Sequence, residues 1–188
     1  MIGRPTIGLW NSYDPHHFRE AHRRLLARVG PLAFAFDMNL ATFGFPFPSE
    51  LSKPSEVAEW VATTTTIGEE GRYLKELASR GRFQMFPYVR KGFPPQLGEI
   101  ILTTSSPDIE RKRTADDICA MLMSGRSVCL LFGAGPKGTP KELIDSTNHH
   151  FDVTFGGHSL ETCTALGAVV AVIAHTLKRK SEQSQESL

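Results

Sequence analysis

The chain has 188 residues, with 21 Lys and Arg against 20 Asp and Glu (formal net charge +1) and 40% hydrophobic residues. That length holds one substantial core, and two only if both are small. Near-neutrality argues neither for nor against an acidic partner, so any nucleic-acid surface must come from local clusters.

Residues 6–10 read as a short strand, closed by Asn11, Ser12, Asp14 and Pro15. A helix is expected over 15–29, capped by Asp14, with Pro15 at its first position and Gly30-Pro31 as its stop. Phe18, Ala21, Leu25 and Val29 form its buried stripe. Residues 32–36 read as a second buried strand ending at Asp37, which completes a β–α–β unit and implies a parallel sheet. Residues 43–54 are a proline-rich irregular connection, and 55–65 and 69–80 are helices, the second ended by Gly81. A strand over 83–88, a basic Gly/Pro loop over 90–96 and a strand over 99–103 follow. Thr114 caps a helix with Asp116 and Asp117 in its first turn, where the helix dipole favours acids, and Gly125 ends it.

Residues 127–132 form a continuous apolar strand of the kind buried on both faces, running into GAGPKG at 133–138. Thr139-Pro140-Lys141-Glu142 combines a capping box with a proline suited to a first helical position. A last strand is expected over 150–154. Gly156-Gly157 then turns the chain, and Ser159 caps a final helix to about Lys180. Residues 181–188, SEQSQESL, read as a disordered polar tail beyond a single domain over 1–180. Cys119, Cys129 and Cys163 have no paired spacing, which fits reduced core thiols. The first ten residues lack a signal-peptide run, and the apolar stretch 165–173 is too short to span a membrane. A soluble, cytoplasmic protein without a membrane partner is expected.

The glycine-rich loop admits three readings. A phosphate-binding P-loop requires Lys and Ser or Thr directly after its second glycine, and Gly138 is followed by Thr139-Pro140, so that reading fails. A dinucleotide fingerprint fits Gly133, Gly135 and Gly138, with Asp152 at the distance of a ribose ligand. Against this nicotinamide-oxidoreductase reading, Pro136 and Pro140 reshape the turn and only one strand follows it. A tight turn without a ligand is the third reading.

The loop has a companion, His158-Ser159-Leu160-Glu161-Thr162-Cys163-Thr164-Ala165-Leu166-Gly167-Ala168. LLFGAGPKGTP, a short helix, HFDVTFGGHSLETCTALGA and a long small-residue helix together resemble the two C-terminal motifs of SPOUT methyltransferases. The likeness covers about 127–173 and is closest to an archaeal branch grouped with the SpoU-type rRNA methylases. It implies a Rossmann-like α/β domain with a parallel sheet and a deep C-terminal trefoil knot. It also implies an S-adenosyl-L-methionine-dependent RNA methyltransferase acting on tRNA or rRNA as a homodimer, with the site completed from the second subunit. The cofactor contacts implied are Thr103, Thr104, Phe132, Gly133, Ala134, Gly135, Gly138, Val153, Thr154, Phe155, Gly156, Ser159, Leu160 and Thr164. Residues 43–96 would be a family-specific insertion, suited to RNA recognition. Two departures stand out. Glu161 occupies the place of an asparagine after "SL", and Asn11 and Arg19 match the N-terminal SpoU motif at an unusual spacing.

Methyl transfer is an in-line displacement in which the protein orients the acceptor and helps remove its proton. An arginine beside an attacking hydroxyl favours its anionic form. By analogy Arg19 takes that catalytic role, and Glu161 faces the donor's cationic region or stabilises the helix start. Arg23, Arg24, Arg28 and Lys137 are the RNA-binding candidates, alongside basic loops at Arg80-Gly81-Arg82, Arg90-Lys91 and Arg111-Lys112-Arg113. A solvated basic face is the alternative for each arginine, and an idle cofactor- or RNA-binding protein of the same fold is the alternative for the whole. His149, His150, Asp152 and His158 lie close in sequence, but His149 and His150 face opposite sides of a strand, and no metal is expected.

Overall fold

A computed structural model describes residues 1–64, 66–89 and 92–186. Thr65, the expected end of one helix, the basic pair Arg90-Lys91, and the last two tail positions lie outside the described residues. Six strands form one all-parallel sheet: β1 (Pro5–Trp10), β2 (Asn39–Phe43), β3 (Phe83–Phe86), β4 (Glu99–Thr103), β5 (Val128–Gly133) and β6 (His149–Phe151). Their order is β3-β2-β1-β5-β4-β6. The helices are α1 (Glu20–Ala35), α2 (Pro54–Thr64), α3 (Gly71–Ser79), α4 (Ala115–Met123), α5 (Lys141–Ser146) and α6 (Thr162–Glu186). From β1 the chain winds outward through β2 and β3, and β5 returns to β1's other edge, pairing Thr6 with Cys129 and Leu9 with Phe132. The order therefore reverses between β1 and β5, where a crevice opens beyond the strands' carboxyl ends.

The first β–α–β unit is present with displaced boundaries. Residues 15–19 form a loop, α1 begins at Glu20, and the expected strand over 32–36 is the end of α1 and its cap. Gly30 does not stop the helix. A Cβ there would come within 2.9 Å of the Leu74 Cβ, so this glycine lets α3 approach α1. The helix ends instead at Asp37, whose φ of 52° is left-handed. The amide of Met38 donates to the Ala33 carbonyl (2.8 Å) and that of Asp37 to Phe34 (3.2 Å), the paired bonds of a Schellman cap. Only then does the chain extend into β2.

The sheet's two faces are covered unequally. Alternate residues such as Ile7, Leu9, Leu130 and Phe132 join a large core with Leu25, Leu26, Leu74, Ile118 and Val170 of the helices. Trp10, Phe43, Leu102 and Leu131 face a thinner layer closed by Leu97, Phe93 and Leu143. Segment 43–96 is woven into the first half of the fold: it supplies the edge strand β3, and α2 and α3 pack on α1 and on each other. Cys119 and Cys129 are core thiols, pushed by burial to about 11 and about 12.

At the other edge, β6 has a neighbour on both sides. It pairs with β4 through Leu102 and His150, while the His150 amide donates to the Arg111 carbonyl (2.9 Å) and its carbonyl accepts from Arg113 (2.8 Å). Segment 104–113 therefore leaves β4, crosses β6 and returns along its far edge. The His150 ring secures the crossing: Nδ1 accepts from the Asp108 amide (3.1 Å), which leaves Nε2 to donate to the Ile144 carbonyl (3.1 Å). The last helix continues past Lys180 through Ser181–Glu186, where Ser184 Oγ donates back to the Lys180 carbonyl (3.0 Å). No helix among the described residues is long and apolar enough to cross a membrane.

Candidate functional site

A cleft of about 720 Å³ opens at the carboxyl ends of β4, β5 and β6, beside the β1–β5 reversal. Its apolar wall includes Phe132, Ile144, Phe151, Val153, Leu160 and Val169, and its polar rim includes hydroxyls of Thr103, Thr104, Ser105, Ser106, Thr139 and Ser159. Gly133, Gly135, Gly138 and Thr154 line it as expected. Four expected contacts do not. Ala134 is buried beneath the loop with its amide donating to Trp10, Phe155 is 88% exposed, and Gly156 and Thr164 lie outside the lining. Asp152, His158 and Thr162 line it too, and so does Tyr13, which was not anticipated as a contact. Tyr13 had a signal: it lies just past β1, the strand at the topological reversal.

The glycines of the loop also serve its packing. A Cβ on Gly133 would lie 2.4 Å from the Gly138 carbonyl carbon, and one on Gly135 would lie 2.7 Å from that of Ser12. These two glycines thus let the loop fold on itself and press against the chain after β1. Gly138 has a φ of 63° and nothing within 4 Å of its Cβ position, so it alone leaves open space beside the cleft. The short α5 begins at Lys141 with Pro140 as its N-cap, and Thr139 forms no capping box. A pyrophosphate-binding helix start is therefore missing where a dinucleotide fingerprint requires one.

The chain after β1 is fixed by Asn11, which is 2% exposed. Its Nδ2 donates to the Gly44 carbonyl (2.9 Å) and the Asp14 carbonyl (3.2 Å), and its Oδ1 accepts from the Tyr13 amide (3.0 Å). The fully buried His22 completes this set. Its Nδ1 accepts from the Arg19 amide (2.9 Å), so Nε2 carries the proton and donates to Asn11 Oδ1 (2.9 Å). Burial holds the His22 pKa below its ordinary value. Tyr13 packs edge-on against His22, and burial, reinforced by Cys163 and Glu161, holds its phenol protonated beyond the usual range.

Two carboxylates organise the far side. Asp152 lies at the end of β6, where Oδ1 accepts from the Thr154 amide (2.9 Å) and hydroxyl (2.7 Å) and Oδ2 from the Gly157 amide (3.0 Å). Burial works against the charge, but these hydrogen bonds outweigh it and the Asp152 pKa is lowered. Glu161, and not Ser159, caps α6: its Oε2 accepts from the amides of Cys163 (2.9 Å) and Thr164 (3.1 Å). The Cys163 amide chiefly lowers its pKa, and the carboxylate lines the cleft.

The arginines divide. Arg19 is the N-cap residue of α1, and its side chain, 61% exposed, pairs with Asp14 (2.9 Å) outside the cleft lining. Asp14, expected to cap the helix, instead accepts from the amides of His16 and His17. Arg24 pairs with Glu20, and Arg23 contacts both Glu20 and the Thr64 carbonyl and lies over the Trp60 ring. Arg28 reaches Cys163 Sγ (3.6 Å), beside Tyr13 and Glu161. Lys137 is exposed at the tip of the glycine loop. His149 lies 3.5 Å from Glu99, and no group of three His, Cys, Asp or Glu among the described residues is placed to hold a metal ion.

The comparisons agree with this geometry. A protein from Methanocaldococcus jannaschii, described as uncharacterized protein MJ0224, is 39% identical over 172 residues, covering 92% of this chain and 94% of the relative. A structure described by "Structural insights into the 2-OH methylation of C/U34 on tRNA" superposes with a TM-score of 0.56 at 15% identity, covering 95% of this chain and 98% of that one. The SpoU methyltransferase AviRb from Streptomyces viridochromogenes, in complex with AdoMet, gives a TM-score of 0.52 at 11% identity, covering 93% and 58%. The all-parallel six-stranded sheet is thus that of SpoU-type SPOUT methyltransferases. Since residues 5–174 match the family model described as Protein of unknown function (DUF531), the chain belongs to that family, built on the SPOUT fold.

Proposed function

We propose that this protein is an S-adenosyl-L-methionine-dependent methyltransferase acting on tRNA or rRNA. The observation that carries the reading is the cleft itself, assembled at the sheet's topological reversal from the loops after β4, β5 and β6. Its 720 Å³ lies within the range of about 300–1,000 Å³ usual for small-molecule sites. The donor set fits the cofactor. Phe132, Phe151 and Leu160 offer an apolar seat for a purine, and the loop hydroxyls offer partners for ribose and amino-acid groups. Glu161 lines the cleft with a carboxylate that would stabilise a sulfonium. The bound donor would supply an electrophilic methyl group. The residues that hold it would be Thr103, Thr104, Gly133, Gly135, Gly138, Val153, Thr154, Ser159 and Leu160.

The chain's own part is to orient an acceptor and stabilise its deprotonated form. Arg28 stands next to the cleft residues Tyr13 and Glu161 without lining the cleft itself, while Arg19 is held outward on Asp14, a position suited to completing a second subunit's site. A homodimer would use α6, whose outer face carries the 38%-exposed Val172 and Gly167 with open space at its Cβ position. The enclosure of β6 between β4 and segment 104–113 supports a trefoil knot, with the chain after β6 passing through that loop. One observation favours an idle cofactor- or RNA-binding protein of the same fold. No lysine or arginine is among the described residues that line the cleft.

Calorimetry with S-adenosylmethionine, S-adenosylhomocysteine and NAD, followed by methyl labelling of tRNA and rRNA, tests these readings. The proposal expects both adenosyl ligands to bind, NAD not to bind, and label to enter RNA. Donor binding without RNA labelling would leave the idle protein, and binding of neither adenosyl ligand would remove the enzyme reading. Arg19→Ala and Arg28→Ala, compared under the same labelling, identify which arginine acts.

A further inference from the structure

Between the cleft residues Thr154 and His158 the chain makes a tight turn at Phe155-Gly156-Gly157. Phe155 has a φ of 59°, left-handed backbone that a bulky L-residue adopts at a cost. Its side chain is 88% exposed. A glycine would hold the same turn without strain, and glycines occupy the next two positions, yet phenylalanine stands at this one. The turn is also built firmly. Asp152 binds both of its ends, the Gly156 amide donates to the Thr154 carbonyl (2.7 Å), and the Thr154 hydroxyl accepts from the His158 amide (3.0 Å). The fold thus holds a large ring in solvent, on a pre-formed support, at the edge of the cleft. Neither the cleft lining nor the core uses it.

We infer that Phe155 is a stacking platform for a nucleobase of the RNA, and that Lys137 makes the accompanying phosphate contact. This rests on the RNA reading above and adds how the acceptor is held. The pairing of groups selects the occupant. Lys137 is exposed on the glycine loop between the cleft residues Pro136 and Gly138, while the ring projects from the loop after β6. An exposed cation on one loop and an exposed aromatic face on another suit a phosphate and an unstacked base. A rigid turn orders little on binding, so most of the stacking is retained. A second copy of this chain, covering the ring in a dimer, is the competing occupant that the test separates.

The test compares the wild type with Phe155→Ala, Phe155→Gly, Phe155→Trp and Lys137→Ala. Filter binding to unfractionated tRNA and, separately, rRNA is read alongside calorimetry with S-adenosylmethionine and light scattering for mass. Phe155→Gly suits the left-handed φ, so it retains the fold even if the alanine variant does not. Loss of the ring should weaken RNA binding about tenfold, as one lost base stack does, while tryptophan restores it to within about twofold. Lys137→Ala should weaken binding and reduce its salt slope by about one. Donor affinity and mass should stay constant throughout. Unchanged RNA affinity in both Phe155→Ala and Phe155→Gly overturns the inference and leaves the methyltransferase reading standing. A fall in mass on removal of the ring assigns Phe155 to a protein interface instead. Wild-type protein that binds the donor but neither RNA overturns this inference together with the RNA part of the proposed function.

Discussion

Asn11→Ala should be among the most damaging single substitutions outside the apolar core. The side chain makes four hydrogen bonds of 2.9 to 3.2 Å: two from Nδ2 to carbonyls of Gly44 and Asp14, and two accepted by Oδ1 from Tyr13 and His22. Each is worth about 0.5–1.5 kcal/mol net, and a buried donor left without a partner costs about 1–3 kcal/mol. The Tyr13 amide and the Asp14 carbonyl are near enough to the surface to regain water, but the His22 imidazole is fully buried. The loss therefore comes to about 3 kcal/mol, or roughly 6–12 °C of melting temperature for a chain of this size. Urea unfolding followed by circular dichroism gives the free energy, and calorimetry with S-adenosylmethionine should show a parallel loss of affinity as the Tyr13 loop loosens against Gly135. Asn11→Asp keeps the acceptor but cannot donate to the two carbonyls, so it should also fall short of wild type. A loss below about 1 kcal/mol for Asn11→Ala at unchanged m-value would refute this account of the loop.

Gly135→Ala forces a Cβ to within 2.9 Å of three backbone atoms of Ser12 and Tyr13, so it should cost about 1–3 kcal/mol and reduce donor affinity; wild-type affinity by calorimetry would contradict the interlock. His22 has a lowered folded pKa, so the unfolded chain takes up its proton first as the pH falls. Its contribution to stability is intact above about pH 6.5 and declines below it, and melting curves from pH 7.5 to 5 should lose part of their slope in His22→Asn. Glu161→Ala removes the cap of α6 and should cost about 1 kcal/mol, an effect that fades as the pH falls through the lowered carboxylate pKa, since protonation weakens the same cap in the wild type. Glu161→Gln keeps an acceptor and most of that stability, so a selective fall in its donor affinity would show that the charge itself meets the sulfonium.

The sequence was most legible where one local signal acted alone. The apolar strand β5, the Thr114 cap with Asp116 and Asp117, and the paired C-terminal motifs all lie where their patterns point. Its errors came where a residue type serves two purposes. Gly30 looked like a helix stop and is a contact point for α3, which moved β2 from 32–36 to Asn39–Phe43. Gly133 and Gly135 line the cleft and are at the same time packing points against backbone, a second use that the motif does not reveal. Ser159 had the chemistry of a cap, but Glu161 lies closer to the first amides of α6. The Asn11–His22 pair spans a loop and a helix turn that no periodicity reports, so tertiary contact fixes how the loop carrying Tyr13 is held at the cleft.

The pairing of β1 with β5 bears on how the chain is made. Thr6 meets its partner Cys129 only after more than half of the polypeptide has left the ribosome. Until then the edge of β1 that β5 covers has no partner, leaving unpaired amides and carbonyls along Ile7, Gly8 and Leu9, residues of a strand fully buried in the folded chain. Long-range closure of this kind slows folding and leaves a sticky edge during synthesis. Aggregation of the nascent protein is therefore most favoured before β5 emerges, and the strand that seals the sheet also carries the glycine loop of the cleft.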